Sequence, residues 1–100
     1  MSENISNEQK EKYIQQLSSE LVMLRAKADM TQEYLANLVG ISRQTYCAIE
    51  TQKKTMSWST YLALIFVFDS MQETSAVIRK LGILPENMIE QLNSQKEVDQ

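Results

Sequence analysis

The 100-residue chain has no histidine and a single cysteine, Cys47. A disulfide within the chain is therefore impossible, and no thiolate-imidazole zinc cluster can be assembled. Nucleophile-histidine catalysis lacks its base. Of the carboxylates, no pair stands apart from the solvated charges of helices, and no glycine-rich phosphate loop occurs. These residue types argue against an enzyme, a bound cofactor or a metal. What remains is contact chemistry, and its densest stretch is Ser42-Arg43-Gln44-Thr45, followed by the small Cys47 and Ala48.

The elements that position this group lie between Thr31 and Glu50, which read as two short helices around a tight turn. Thr31 is a good N-cap, and Glu33 favours the same helix end. Leu35, Ala36, Leu38 and Val39 then recur at helical spacing as an apolar face. Gly40 supplies the backbone freedom of a helix end, Ile41 plugs the corner, and Ser42 caps the next helix. On that second helix Tyr46 and Ile49 fall on one side, suited to a core. Arg43, Gln44, Cys47 and Ala48 are left on the other, suited to contact.

Thr31-Gln32, Leu35-Ala36, the run Val39-Gly40-Ile41-Ser42-Arg43-Gln44-Thr45, and Ile49-Glu50 occur in the order seen in one family. The segment resembles the helix-turn-helix of the phage repressor and Cro family, the Xre-type transcriptional regulators, over residues 21 to 69. The resemblance implies an all-α fold, a five- to six-helix bundle of the lambda-repressor-like DNA-binding type. It also implies double-stranded DNA as partner and a homodimer that places one recognition helix in each half of a near-palindrome. Half-site centres should then lie about 10 bp apart. The expected role is sequence-specific transcriptional regulation, most simply repression.

The expected DNA-binding residues are Gln32, Ser42, Arg43, Gln44, Thr45, Cys47, Ala48, Lys53 and Lys54. Arg43 can pair bidentately with guanine O6 and N7, and Gln44 with adenine N6 and N7. Ser42 and Thr45 suit phosphate or thymine, and Cys47 and Ala48 are small enough to pack on thymine methyls, although a half-buried thiol with no task is the plainer reading of Cys47. Gln32 resembles the glutamine that the family uses at a helix start to clamp a phosphate or reach the groove. Lys53 and Lys54 stand where relatives touch the phosphate backbone. Arg25 and Glu50 match a structural ion pair of the family. The chain departs from its relatives after Glu50, where Asn-Gly is usual and Thr51-Gln52 stands instead; either the helix runs on slightly or Gln52 carries strain.

Net charge is −3, unlike the basic footprint of many DNA-binding domains. Its distribution matters more. From Arg25 to Lys54 the chain carries +2, so the remainder carries −5. A locally positive face implies few phosphate contacts per subunit, with affinity that leans on dimerisation and falls with salt. Hydrophobic residues make up 43% and charged residues 23%, ordinary for a globular domain. The longest run, Leu62 to Phe68, is far short of a membrane span, which needs about 18 apolar residues. With a polar, acidic N-terminus unlike a secretory signal, the expectation is a cytoplasmic protein with no membrane association.

Residues 1–6 read as flexible, and residues 7–93 as one helical domain. Its first helix starts after a Ser6 or Asn7 cap, with Ile14, Leu17, Leu21, Leu24 and Ala28 on one face. Met30 plugs the gap before the second helix. Ser57 caps a fourth helix that is apolar nearly all round, including Trp58, Tyr61, Leu64, Phe66 and Phe68, and Asp69-Ser70 ends it. Met71 to Leu81 reads as a fifth helix closed by Gly82. Pro85 opens a short sixth, Glu86 to Leu92, with residues 71–93 as dimerisation helices and 94–100 as a mobile tail. No stretch is left for a ligand or protease-like domain, so no small-molecule ligand is expected. Two other functions fit the same residues. One is an antitoxin-type regulator that also binds a partner protein; the other is an interaction module that has lost DNA binding.

Overall fold

The computed structural model describes residues 5–83, and those residues form five helices: α1 (Asn7–Lys27), α2 (Gln32–Val39), α3 (Arg43–Glu50), α4 (Trp58–Ser70) and α5 (Gln72–Leu81). Each of the first four begins at a hydroxyl cap. Ser6 forms a full capping box with Gln9, and Thr31, Ser42 and Ser57 accept from the amides of Tyr34, Thr45 and Thr60. Such caps satisfy amides that have no partner inside the helix, at about 1 kcal/mol each.

The ends of the first three helices share one geometry. The chain turns into the left-handed region at Asp29 (φ 56°), Gly40 (φ 80°) and Gln52 (φ 62°). After each of these a backbone amide reaches back five residues, in Met30 N to Arg25 O, Ile41 N to Ala36 O and Lys53 N to Ala48 O. This satisfies the free carbonyls of the last turn. Asp29 tolerates the conformation better than most residues because of its short polar side chain.

α1 buries Ile14, Leu17, Leu21 and Leu24 at the spacing of one helical face. They meet Leu35 and Ala36 of α2, Tyr46 and Ile49 of α3, and Tyr61, Leu64 and Phe68 of α4 in one core. Fully burying an aliphatic side chain of this kind stabilises by about 1.5–3 kcal/mol. Ala36 is fully buried; with no side chain beyond Cβ it lets α2 and α3 pack closely. Leu38 does not join this face. It is 49% exposed, because the inward arc of an eight-residue helix is filled by Leu35, Ala36 and Val39.

α4 turns Tyr61, Leu64, Ile65 and Phe68 inward but leaves Phe66 outside at 72% exposure. Its first turn lies against α1 through a stack of aromatic rings. Trp58 and Tyr61 are 4.7 Å apart and nearly parallel, Tyr13 lies beside both, and the Lys10 ammonium sits 5.5 Å over the Trp58 ring. Met71 is extended, so α5 begins at Gln72 and folds back along α4. The buried Thr74 hydroxyl donates to the Phe68 carbonyl, and Arg79 reaches Asp69 through two bonds of 3.1–3.2 Å. The Tyr61 hydroxyl donates to the carbonyl of Ile83. The expected sixth helix at Glu86–Leu92 and the tail from Ser94 lie outside the described residues. Among the described residues no helix is long and apolar enough to cross a membrane.

Candidate nucleic-acid interface

α2 and α3 are joined by Gly40-Ile41-Ser42. A Cβ built on Gly40 would meet no atom within 4 Å, so glycine is required there by backbone conformation and not by lack of room. Ile41 is half-buried in the corner, and Ser42 is extended, with its hydroxyl both accepting from the Thr45 amide and donating to the Thr45 hydroxyl at 3.0 Å. These local devices start α3 with Arg43 and Gln44 facing solvent. Neither side chain makes a hydrogen bond or ion pair among the described residues. Arg43 shares an open polar cleft with Arg25, Thr31, Gln32 and Glu33.

The inner side of α3 is tied down by a buried carboxylate. Glu50, its side chain 4% exposed, accepts from Arg25 Nε at 2.8 Å and from Arg25 Nη2 at 3.2 Å. It also accepts from Gln32 Nε2 and from the Tyr46 hydroxyl, both at 2.7 Å. The third guanidinium nitrogen of Arg25 donates to the Met30 carbonyl at 3.1 Å. One carboxylate thus links α1, α2 and α3, and the expected Arg25–Glu50 pair is present.

Burial by itself would raise the Glu50 pKa. The bonds from Arg25, Tyr46 and Gln32 outweigh it and hold the carboxyl below its ordinary value. The Arg25 pKa is raised by its bond to Glu50, and Tyr46 is pushed upward by burial and by the same carboxylate. The site is therefore a fixed ion pair with a neutral phenol at neutral pH, and no buried side-chain polar atom among the described residues lacks a partner.

The other expected contact residues divide by position. Ser42, Lys53 and Lys54 are exposed, and Thr45 and Ala48 are half-buried. Lys53 and Lys54 follow the left-handed Gln52, whose conformation replaces the expected glycine and keeps the sharp turn after α3. Gln32 is turned inward, contrary to the expectation that it meets DNA, and Cys47 is half-buried, as the plainer reading of that thiol has it, but bonded to Gln32. The Gln32 amide is bonded to Glu50 through Nε2 and accepts from Cys47 Sγ at 3.1 Å through Oε1. The Tyr46–Glu50 bond was readable from the sequence as a pair four apart on one helix. The Gln32 bonds join two helices and had no such local signal.

Two short helices, a glycine corner, and an exposed Arg-Gln pair opening the second of them define a helix-turn-helix, the class of DNA-binding regulators. Residues 21–57 match the family model described as Helix-turn-helix, from the middle of α1 to the cap of α4. Over that segment, 37 of the 100 residues, the chain is similar to the Cro/C1-type, Xre-like helix-turn-helix, a DNA-binding regulatory domain. No curated protein and no solved structure matches the chain.

Proposed function

We propose that the protein is a sequence-specific DNA-binding transcriptional regulator that represses by occupying its operator as a homodimer. The observation that carries this reading is the orientation of α3. Its inner side is bonded to two other helices through Glu50, while Arg43 and Gln44 are exposed at its start and have no partner among the described residues. A rigid helix with an exposed guanidinium and an exposed amide at its leading end suits base edges in a major groove. Ser42, Thr45 and Ala48 lie alongside for sugar-phosphate or methyl contact, and Lys53 and Lys54 supply charge for the flanking phosphates.

With so few cations in the interface, useful affinity calls for two copies on one duplex, their recognition helices about 34–36 Å apart. Phe66, exposed at 72% on α4, supports an association surface on the described residues. The same residue favours the second reading, a regulator of antitoxin type in which a partner protein covers that side. Sedimentation of the pure protein separates them: a dimer supports self-association, and a monomer that co-purifies with another chain supports the second. The reading itself is tested by footprinting on the DNA upstream of its own gene. Protected half-sites about 10 bp apart support it, and absence of protection at low salt contradicts it. The setting proposed is the cytoplasm, where the DNA is.

A further inference from the structure

Gln32 opens α2 at the rim of the cleft that holds Arg43, where an outward side chain would meet a nucleic-acid backbone. Its amide points inward. Nε2 donates to Glu50 at 2.7 Å and Oε1 accepts from Cys47 at 3.1 Å. The two positions it reaches are three apart on α3 and share one helix face. Glu50 is in turn held by Arg25 from α1. A planar amide with both ends bonded to one face of a helix opposes roll of that helix about its axis, because any roll lengthens one bond or the other.

The geometry points to Gln32 as a positioning residue, which sets the rotation of α3 through Glu50 and Cys47 and so decides where Arg43 and Gln44 meet the bases. In this role Gln32 does not clamp a phosphate, and Cys47 holds the amide and does not pack on thymine. The inference rests on the reading of α3 as the recognition helix. Bidentate base contacts require tight alignment, whereas lysine contacts to phosphate tolerate displacement. Loss of the Gln32 bonds should therefore reduce discrimination between sequences more than general affinity for DNA.

The probe is a duplex selected by the wild-type protein from a random-sequence pool, measured against an unselected duplex. Gln32→Met, which has similar length and no amide, is expected to lower the ratio of the two affinities roughly tenfold. Affinity for the unselected duplex, and the set of phosphates whose ethylation blocks binding, should not change. Cys47→Ala is expected to lower the ratio in the wild-type background and to have no further effect beside Gln32→Met, whereas Cys47→Ser, which keeps a donor, restores it. Loss of one phosphate from the interference pattern with discrimination intact overturns the inference in favour of a direct phosphate contact. An unchanged ratio in both Gln32→Met and Cys47→Ala also overturns it. A wild-type protein that selects no sequence overturns the recognition-helix reading itself. Cys47→Ala and Cys47→Ser decide the matter alone if Gln32→Met does not fold by circular dichroism.

Discussion

Replacement of Arg25 by methionine would leave the Glu50 carboxylate buried, at 4% side-chain exposure, with the Tyr46 hydroxyl and the Gln32 amide but no countercharge. Breaking a buried pair from one side costs about 3–5 kcal/mol, and the 21% exposure of Arg25 places this case toward the lower figure. For a domain of this size that is a large part of the total stability. The expected result in urea denaturation, followed by the fluorescence of Trp58, is a loss of about 3 kcal/mol for Arg25→Met. The double variant Arg25→Met/Glu50→Met should regain much of it, because the stranded charge is gone. Acid provides an independent check. In the wild type the Glu50 pKa is depressed on folding, so its stabilisation is complete above its unfolded value of about 4.3 and is lost as pH falls through the folded value. In Arg25→Met the guanidinium that lowers it is gone, so the folded pKa lies above its wild-type value. The penalty is then present at neutral pH and fades on acidification, so the two proteins should converge in stability as pH falls. A loss under about 1 kcal/mol at neutral pH, or a double variant less stable than the single, would refute the account of Glu50 as a paired buried charge.

The backbone and the lysines give further tests. Gln52→Gly removes a left-handed strain worth about 1 kcal/mol, and the melting temperature should rise by roughly 4–8 °C; a fall in a thermal melt would contradict the left-handed turn after α3. Gly40→Ala should destabilise by about 1–2 kcal/mol in urea although a Cβ there meets no atom, since the cost is in φ alone. Lys53→Gln and Lys54→Gln should each weaken binding to all duplexes alike and reduce the slope of log affinity against log salt by about one. A change in sequence preference in fluorescence-anisotropy titrations of either variant would remove it from the phosphate-contact set.

The helix boundaries were legible because the signals that set them are local. Thr31, Ser42 and Ser57 cap within three residues of themselves, and Gly40 and Gly82 take the left-handed conformation that closes their helices. Asp29 does the same without announcing it, since an aspartate is equally at home on a helix surface. Leu38 lies outside the buried face that its apolar spacing suggests, because an eight-residue helix spans too few turns for its apolar residues to fix the phase of that face. Phe66 had no phase to read at all in a helix apolar on every side. At the site, the exposure of Arg43 and Gln44 follows from their place at a capped helix start, and the Arg25–Glu50 pair follows the family's pattern. The inward turn of Gln32 and Cys47 depends on how α2 crosses α3, a packing relation that spacing along the chain does not contain.

The most direct measurement of the central claim is binding of the wild type and of Arg43→Ala/Gln44→Ala to the selected and unselected duplexes at two salt concentrations, with folding verified by circular dichroism. Each bidentate base contact contributes about 1–3 kcal/mol of discrimination. The double variant should therefore bind the selected duplex no better than the unselected one, while retaining the salt-dependent affinity for both that Lys53 and Lys54 supply. A folded double variant that still prefers the selected duplex as strongly as the wild type does would contradict the assignment of α3 as the element that reads the sequence.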